Sequence, residues 1–226
     1  MKTLAFDTST KFLTVACFDG DKIKSSFHEN AGITHSDILI PVIKSIAEEL
    51  KWDIRGIDLI CVGLGPGSFT GLRIAMAAVK GITSGIKSKV IGVPTMDAIV
   101  RNVPGKNGLI APLLDAHKGK VYTCVYKKES EKIERKTEYL LIKAEEFLSK
   151  LKEEVFFFGS GIEKYKTELD SCGLAQYNEN IDWFPRAVEI GRVGMTMARD
   201  KTDDPKTLEP LYLHAKEANI TENKRM

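Results

Sequence analysis

Most of the patterns that announce a chemistry are missing from this sequence. Its four cysteines, Cys17, Cys61, Cys124 and Cys172, are far apart and form no Cys-x-x-Cys. That removes the usual spacing of a zinc ribbon or a dithiol redox pair. Cys17, Cys61 and Cys124 each lie inside an apolar run, as buried thiols do. The four histidines, His28, His35, His117 and His214, are scattered, and no two stand four residues apart. A surface or hydrogen-bonding role is expected for each. Charge of one sign is also scarce: 33 Lys and Arg against 31 Asp and Glu leave a net +2. Such a balance implies no strong field for nucleic acid or a membrane surface. The basic stretch from Lys127 to Lys136 is interrupted by Glu129, Glu131 and Glu134, which reads as a solvated hairpin. No apolar run reaches membrane-spanning length, and Asp7 with its polar neighbours breaks any signal-peptide pattern. A cytoplasmic location is the expectation.

What is present centres on Val62-Gly63-Leu64-Gly65-Pro66-Gly67-Ser68-Phe69-Thr70-Gly71-Leu72-Arg73. An apolar run, Ile57 to Val62, leads in, and small and apolar residues from Ile74 to Ile86 lead out. The reading is strand, glycine-rich turn, helix. Such a turn aims backbone N–H groups and a helix N-terminus at one point, which suits an anion. A tight structural turn accounts for Gly65, Pro66 and Gly67 equally well. The run lacks the Lys-Ser/Thr of a P-loop, and Thr70 stands where Gly-x-Gly-x-x-Gly needs its third glycine.

The 226 residues are enough for one large domain or two small ones. Read in order, Lys2 to Phe6, Phe12 to Phe18 and Lys22 to Phe27 are strands, the last two joined by the Asp19-Gly20-Asp21 turn. A helix follows from near Thr34 or Ser36 to Leu50, with Asp37 favourable in its first turn. Its apolar stripe, which includes Leu39, Val42, Ile43 and Ile46 but leaves Ile40 aside, is wide for a helix covered on one side. Pattern alone favours deep burial in the core over a face given to a partner. The helix Gly71 to Ile86 carries Gly71, Ala75, Ala77, Ala78, Gly81 and Gly85. Small residues let another helix approach closely, and since each interior glycine costs about 1 kcal/mol relative to alanine, a close-packed contact is expected. Lys89 to Val93 is a strand, Pro94 to Arg101 a short helix, and the Pro104-Gly105 region a boundary.

The second half repeats this order. Leu109 to Leu114, Lys120 to Tyr126 and Ile133 to Leu141 are strands, Ala144 to Leu151 a helix, and Val155 to Phe158 a strand that runs into Gly159-Ser160-Gly161. Ile162 to Leu169 and Arg186 to Arg199 are helices, Pro210 to Leu213 is extended, and a polar tail begins at His214. Each half reads βββαβα with an Asp, Asp7 or Asp115, after its first strand. An α/β fold of the actin/sugar-kinase/Hsp70-like class (ASKHA) is therefore expected. Its lobes would be 1–103 and 107–213, with a tail at 214–226. In that class Asp7-Thr8-Ser9 and Asp115 look across a cleft. Asp7, Thr8, Ser9, Gly65, Gly67, Gly159 and Gly161 are then the positions where a nucleotide or phosphate would be met.

Five segments carry a closer resemblance: Lys2 to Ser9, His35-Ser36-Asp37, Gly63 to Arg73, Asp115 to Tyr122, and Pro210 to Leu213. Together they resemble the TsaB (YeaZ) family of bacterial tRNA threonylcarbamoyladenosine biosynthesis proteins over nearly the whole chain. The resemblance implies a non-catalytic partner of TsaD, the larger relative that transfers the threonylcarbamoyl group to adenosine beside the anticodon. TsaE, a small ATPase, would join the pair. tRNA would be met through the complex, no cofactor would be required, and the isolated protein would form a homodimer. The implied partner face comprises Leu39, Val42, Ile43 and Ile46 of the first helix with Gly71, Ala75, Ala78 and Ile82 of the second. The catalytic relative carries His-x-x-x-His where this chain has Thr95 and Ile99. Neither can supply an imidazole to a metal, so no metal and no catalytic residue is expected. His117 and His214 replace family arginines and Ala75 a common family glycine, which weakens any anion contact assigned to 117 or 214. The competing expectation is an ATP-dependent small-molecule phosphotransferase of the same fold.

Overall fold

The computed structural model describes residues 1–32 and 34–213. The expected tail and His214 lie outside the described residues. The chain divides into two compact units, Met1–Ala98 with Pro185–Leu211, and Ile99–Phe184 with the segment from Tyr212.

The first unit is a five-stranded sheet in the order β3-β2-β1-β4-β5. Its strands are β1 (Lys2–Asp7), β2 (Phe12–Asp19), β3 (Lys22–Asn30), β4 (Leu59–Gly63) and β5 (Lys89–Val93). β1 pairs antiparallel with β2 and parallel with β4, and β4 pairs parallel with β5. The central strands are buried on both faces, which is why they read as continuous apolar runs. On one face lie α1 (His35–Glu49) and α2 (Phe69–Thr83). Leu39, Ile43 and Ile46 of α1, with Ala75, Met76 and Val79 of α2, pack there on Leu4, Phe6, Ile60 and Val62. Each fully buried side chain of this size contributes about 1.5–3 kcal/mol. Pro41 lies inside α1 on its exposed side, and the helix begins at His35, next to the expected start near Thr34 or Ser36.

The opposite face of this sheet is covered by a helix from far along the chain. After β5 come α3 (Thr95–Ile99) and the rest of Ile99–Phe184 of the second unit, and then α6 (Ala187–Met197) returns to pack on Ala5, Phe18, Leu59 and Cys61. Gly191 and Gly194 make this possible: a Cβ at either would come within 2.4 Å of Phe18 or of Cys61. The first N–H of α6 is capped by the Thr14 hydroxyl of β2 at 2.9 Å. Beyond α6, Asp203 forms an antiparallel bridge to Val90, and its carboxylate accepts the Gly92 N–H at 2.8 Å. The open edge of β5 is thereby covered. The expected lobe division at 103/107 is corrected accordingly. Pro185–Leu211 belongs to the first unit because α6, together with Ala98, covers the second face of its sheet.

The second unit repeats the strand order as β10-β7-β6-β11-β12, from β6 (Gly108–Asp115), β7 (Lys120–Thr123), β10 (Leu140–Lys143), β11 (Val155–Phe158) and β12 (Ala175–Tyr177). A hairpin, β8 (Tyr126–Glu129) and β9 (Lys132–Arg135), is added to it. The expected strands 120–126 and 133–141 are each split in two. β7 pairs with the end of β6 and with β10, whereas β8 pairs with the start of β6 and with β9. The switch falls at Cys124-Val125, where the Val125 N–H turns to the Thr137 hydroxyl at 3.0 Å. α4 (Ala144–Leu148) and α5 (Lys166–Ser171) cover one face through Phe147, Leu148 and Leu169.

Candidate functional site

The turn after β1 is an internal junction. Asp7 and Thr8 are 0% exposed and Ser9 is 2% exposed. Asp7 Oδ1 accepts the Ser9 N–H and the Ser9 hydroxyl, both at 2.7 Å. Its Oδ2 accepts the Thr95 hydroxyl at 2.8 Å, and Thr95 Oγ1 in turn accepts the Gly65 N–H at 2.9 Å. Burial pushes the Asp7 carboxyl above its ordinary range, while the Ser9 and Thr95 donors and nearby His35 oppose the rise. The Nε2 of His35, the first residue of α1, is buried and has no hydrogen-bond partner among the described residues.

The glycine-rich turn lies directly against this junction. The Ser68 N–H donates to Ser9 O at 2.7 Å, and the Thr8 hydroxyl donates to Gly71 O at 2.8 Å. A Cβ at Gly67 would come 2.2 Å from Ser9 O, and one at Gly71 would come 1.9 Å from Thr8 O. The Ser68 hydroxyl caps α2 by accepting the Gly71 N–H at 3.2 Å. The glycines are therefore required by close backbone approach. Most of the groups expected to meet a phosphate are engaged within the chain. The side chains of Asp7, Thr8 and Ser9 are turned inward onto this chain's own groups. Gly65 is buried with its N–H committed to Thr95, and Gly67 seats the turn on Ser9.

Asp115, the last residue of β6, has different surroundings. Both its oxygens accept from Lys164 Nζ, at 2.9 and 3.0 Å. Its Oδ1 also accepts the His117 N–H at 3.0 Å and the Tyr165 hydroxyl at 3.3 Å. Partial burial alone would raise this carboxyl. The Lys164 and His117 hydrogen bonds and charges outweigh that and hold it below the ordinary range. Gly159 and Gly161, expected beside a nucleoside, pack on β6: a Cβ at either would come 2.8 Å from Leu113 O. Gly161 also donates its N–H to that oxygen at 2.8 Å. Ser160 Oγ accepts the Asp115 N–H at 3.0 Å.

The expected partner face also needs correction. Leu39, Ile43 and Ile46 belong to the core of the first unit, as do Ala75 and Ala78, and Gly71 is buried under Thr8. Val42 and Ile82 are half-buried against the same core. Other residues of these two helices point outward. On α1 these are Ile40, 48% exposed, with Pro41 and Lys44. On α2 they are Phe69, 53% exposed, then Thr70, Arg73, Ala77, Lys80 and Gly81. The Arg73 guanidinium stands 4.0 Å from the Phe69 ring centroid, a cation–π pair at the surface. A Cβ at Gly81 would meet nothing within 4 Å, so the space beside it is open among the described residues. Two signals pointed this way: Ile40 falls off the buried stripe, and Phe69 stands among Ser68, Thr70 and Gly71. Thr95, Lys164 and Tyr165 gave no such signal as partners of the strand-end acids.

Comparison with known proteins agrees with this architecture. Residues 27–220 match the family model described as "TsaD: tRNA N6-adenosine threonylcarbamoyltransferase". The "tRNA threonylcarbamoyladenosine biosynthesis protein TsaB" of Bacillus subtilis is 26% identical over 229 residues, covering 96% of each chain. The Escherichia coli protein of the same name is 28% identical over 226 residues, covering 94% of each. Among solved structures, YeaZ from Pseudomonas aeruginosa has a TM-score of 0.80 at 24% identity, covering 94% of this chain and 99% of that one. A ROK hexokinase from Thermus thermophilus has a TM-score of 0.50 at 10% identity, covering 88% and 100%. These two likenesses speak for the fold alone, and the fold is of the actin/sugar-kinase/Hsp70-like class. Matched by the TsaD family model over most of its length and aligned end to end with the TsaB proteins, the chain belongs to the TsaB/YeaZ family.

Proposed function

We propose that this chain takes part in forming threonylcarbamoyladenosine in tRNA as a docking partner of TsaD, and that it is not itself the transferase. The observation that carries the reading is the use made of Asp7. The acid expected beside a bound nucleotide is spent on Ser9 and Thr95 inside the fold. Thr95, which stands where the catalytic relative has a metal-binding histidine, is the donor to that acid. The outward side of α1 and α2 supplies the docking face, with Ile40, Phe69 and Arg73 as anchors and the space beside Gly81 open to a close approach. An exposed aromatic paired with an arginine is the kind of group that dominates binding energy. Without TsaD the same face would join two copies about a twofold axis. TsaE and tRNA would meet this protein within the TsaD complex, in the cytoplasm, and no nucleotide of its own is needed.

Reconstitution tests the reading. TsaD, TsaE, the enzyme that makes threonylcarbamoyl-adenylate, tRNA and ATP are incubated with and without this chain, and modified adenosine is measured by mass spectrometry. Modification should require the chain and should fall at least about tenfold with the double variant Phe69→Ala, Arg73→Ala. Undiminished modification in its absence refutes the role. Calorimetry of the isolated chain with ATP and Mg²⁺ should give no heat of binding, and saturable binding would favour a phosphotransferase.

A further inference from the structure

Four links tie the head of α2 to the end of β1. Two are the hydrogen bonds from Ser68 to Ser9 and from Thr8 to Gly71, at 2.7 and 2.8 Å. The third is the absence of room for a Cβ at Gly67 or Gly71. The fourth is a relay: Gly65 N–H donates to Thr95 Oγ1 at 2.9 Å, and Thr95 Oγ1 donates to Asp7 Oδ2 at 2.8 Å. A threonine hydroxyl has one proton, and here it goes to Asp7 while a lone pair receives Gly65. Replacing that hydroxyl by a methyl group deprives two buried polar groups of partners at once. Phe69 and Arg73 lie within one turn of Gly71, so a shift of the helix head carries both anchors with it. His35 opens α1 and acts electrostatically on the same carboxylate.

We infer that Asp7 and Thr95 form a positioning unit for the α1–α2 docking face, fixing the head of α2 so that Phe69 and Arg73 are preorganised for TsaD. The inference rests on the docking role proposed above. Affinity gained by preorganisation is lost when the anchors are free to wander, even if every surface residue is intact.

The probe is Thr95→Val, with Thr95→Ser as the conservative rescue. Each full-length variant is titrated into TsaD by calorimetry beside the wild type and Phe69→Ala. Amide hydrogen exchange across Gly65 to Leu72 is followed in the free protein. Thr95→Val should melt in one cooperative transition, speed exchange at Gly65 and Gly71 about tenfold, and weaken TsaD binding about tenfold; Thr95→Ser should restore both. Should Thr95→Val fail to fold, Asp7→Asn is read in the same way: its amide keeps the shape, its oxygen stays with the two Ser9 donors, and the NH2 group left facing Thr95 cannot accept the hydroxyl proton. Folded Thr95→Val with wild-type affinity overturns the inference, whatever its exchange rates. Wild-type binding that Phe69→Ala loses and Thr95→Val keeps overturns the positioning role alone. No binding by the wild type overturns the docking role and the positioning role together.

Discussion

Asp7 and Asp115 each end the first strand of a sheet, in sheets of the same strand order, and the two carboxylates are used in opposite ways. In the first unit, pairing between β1 and β4 runs to Phe6↔Val62, so Asp7 comes immediately after it and lies against Gly63. In the second, pairing between β6 and β11 ends at Pro112↔Phe158. β6 continues for three more residues with only β7 beside it, and Asp115 stands clear of β11. The first acid is enclosed and met by hydroxyl and amide donors. The second stays open enough to be met by Lys164, whose own side chain is 45% exposed. A small difference in how far one strand outruns its neighbour thus decides whether a carboxylate becomes part of the core or part of the surface. The same topological position has accordingly become a structural junction in one unit and a surface ion pair in the other.

The strongest way to break this contrast is Gly63→Ala. Its Cβ would come 1.8 Å from Asp7 Oδ2, so the first unit should lose about 4 kcal/mol or more, read as loss of the cooperative thermal transition. Gly161→Ala, with 2.8 Å to Leu113 O, should cost less, and equal losses would contradict the difference in enclosure. Next in size, Asp7→Ala should destabilise by about 2–4 kcal/mol in urea titrations because buried donors lose their acceptor. Asp115→Ala should cost less, about 1–2 kcal/mol, because its main partner Lys164 can return to water.

The pH dependences should differ in sign. The Asp7 carboxyl titrates higher folded than unfolded, so the stability it allows below its unfolded pKa declines as pH rises through the folded value. The Asp115 carboxyl titrates lower folded, so its contribution is present above the unfolded pKa and is lost as pH falls through the folded value. Stability measured against pH for Asp7→Asn and Asp115→Asn, each subtracted from wild type, should slope in opposite directions. Parallel slopes would remove the distinction. The smallest expected effect is that of Lys164→Met, which should move the Asp115 titration up toward an ordinary carboxylate in carbon-detected NMR and leave Asp7 unmoved.

Much of the architecture is legible in the chain itself. β1, β4 and β11 are apolar runs of strand length, and Asp19-Gly20-Asp21 is a hairpin turn by composition. α2 opens with a capping serine after a glycine-rich turn. The repeated order of elements carries the duplication and with it the fold class. The parts that were not legible all depend on what lies opposite a residue. The stripe of α1 is wide because the helix is sunk in its own core, and the same residues would read identically if a partner covered them. The small residues of α2 divide between Gly71, Ala75 and Ala78, which are buried, and Ala77 and Gly81, which are exposed. Periodicity gave no means of telling the two sets apart without the position of the sheet. The strand expected at 120–126 breaks at Cys124-Val125 because the two halves of β6 have different neighbours, and nothing local marks that change.

Most of the strands, helices and turns, and their recurrence in the second half, follow from side-chain period and backbone freedom within a few residues, the split strands of 120–143 excepted. Packing between distant segments is what assigns α6 to the first unit, brings Thr95 and Gly65 around Asp7, and makes Gly63, Gly67 and Gly71 necessary. Those outcomes depend on groups up to 173 residues apart, as in the cap of Ala187 by Thr14, being brought within hydrogen-bond distance. Burial and close approach are properties of the packed chain, and no local pattern encodes which distant atom will fill the space beside a given residue.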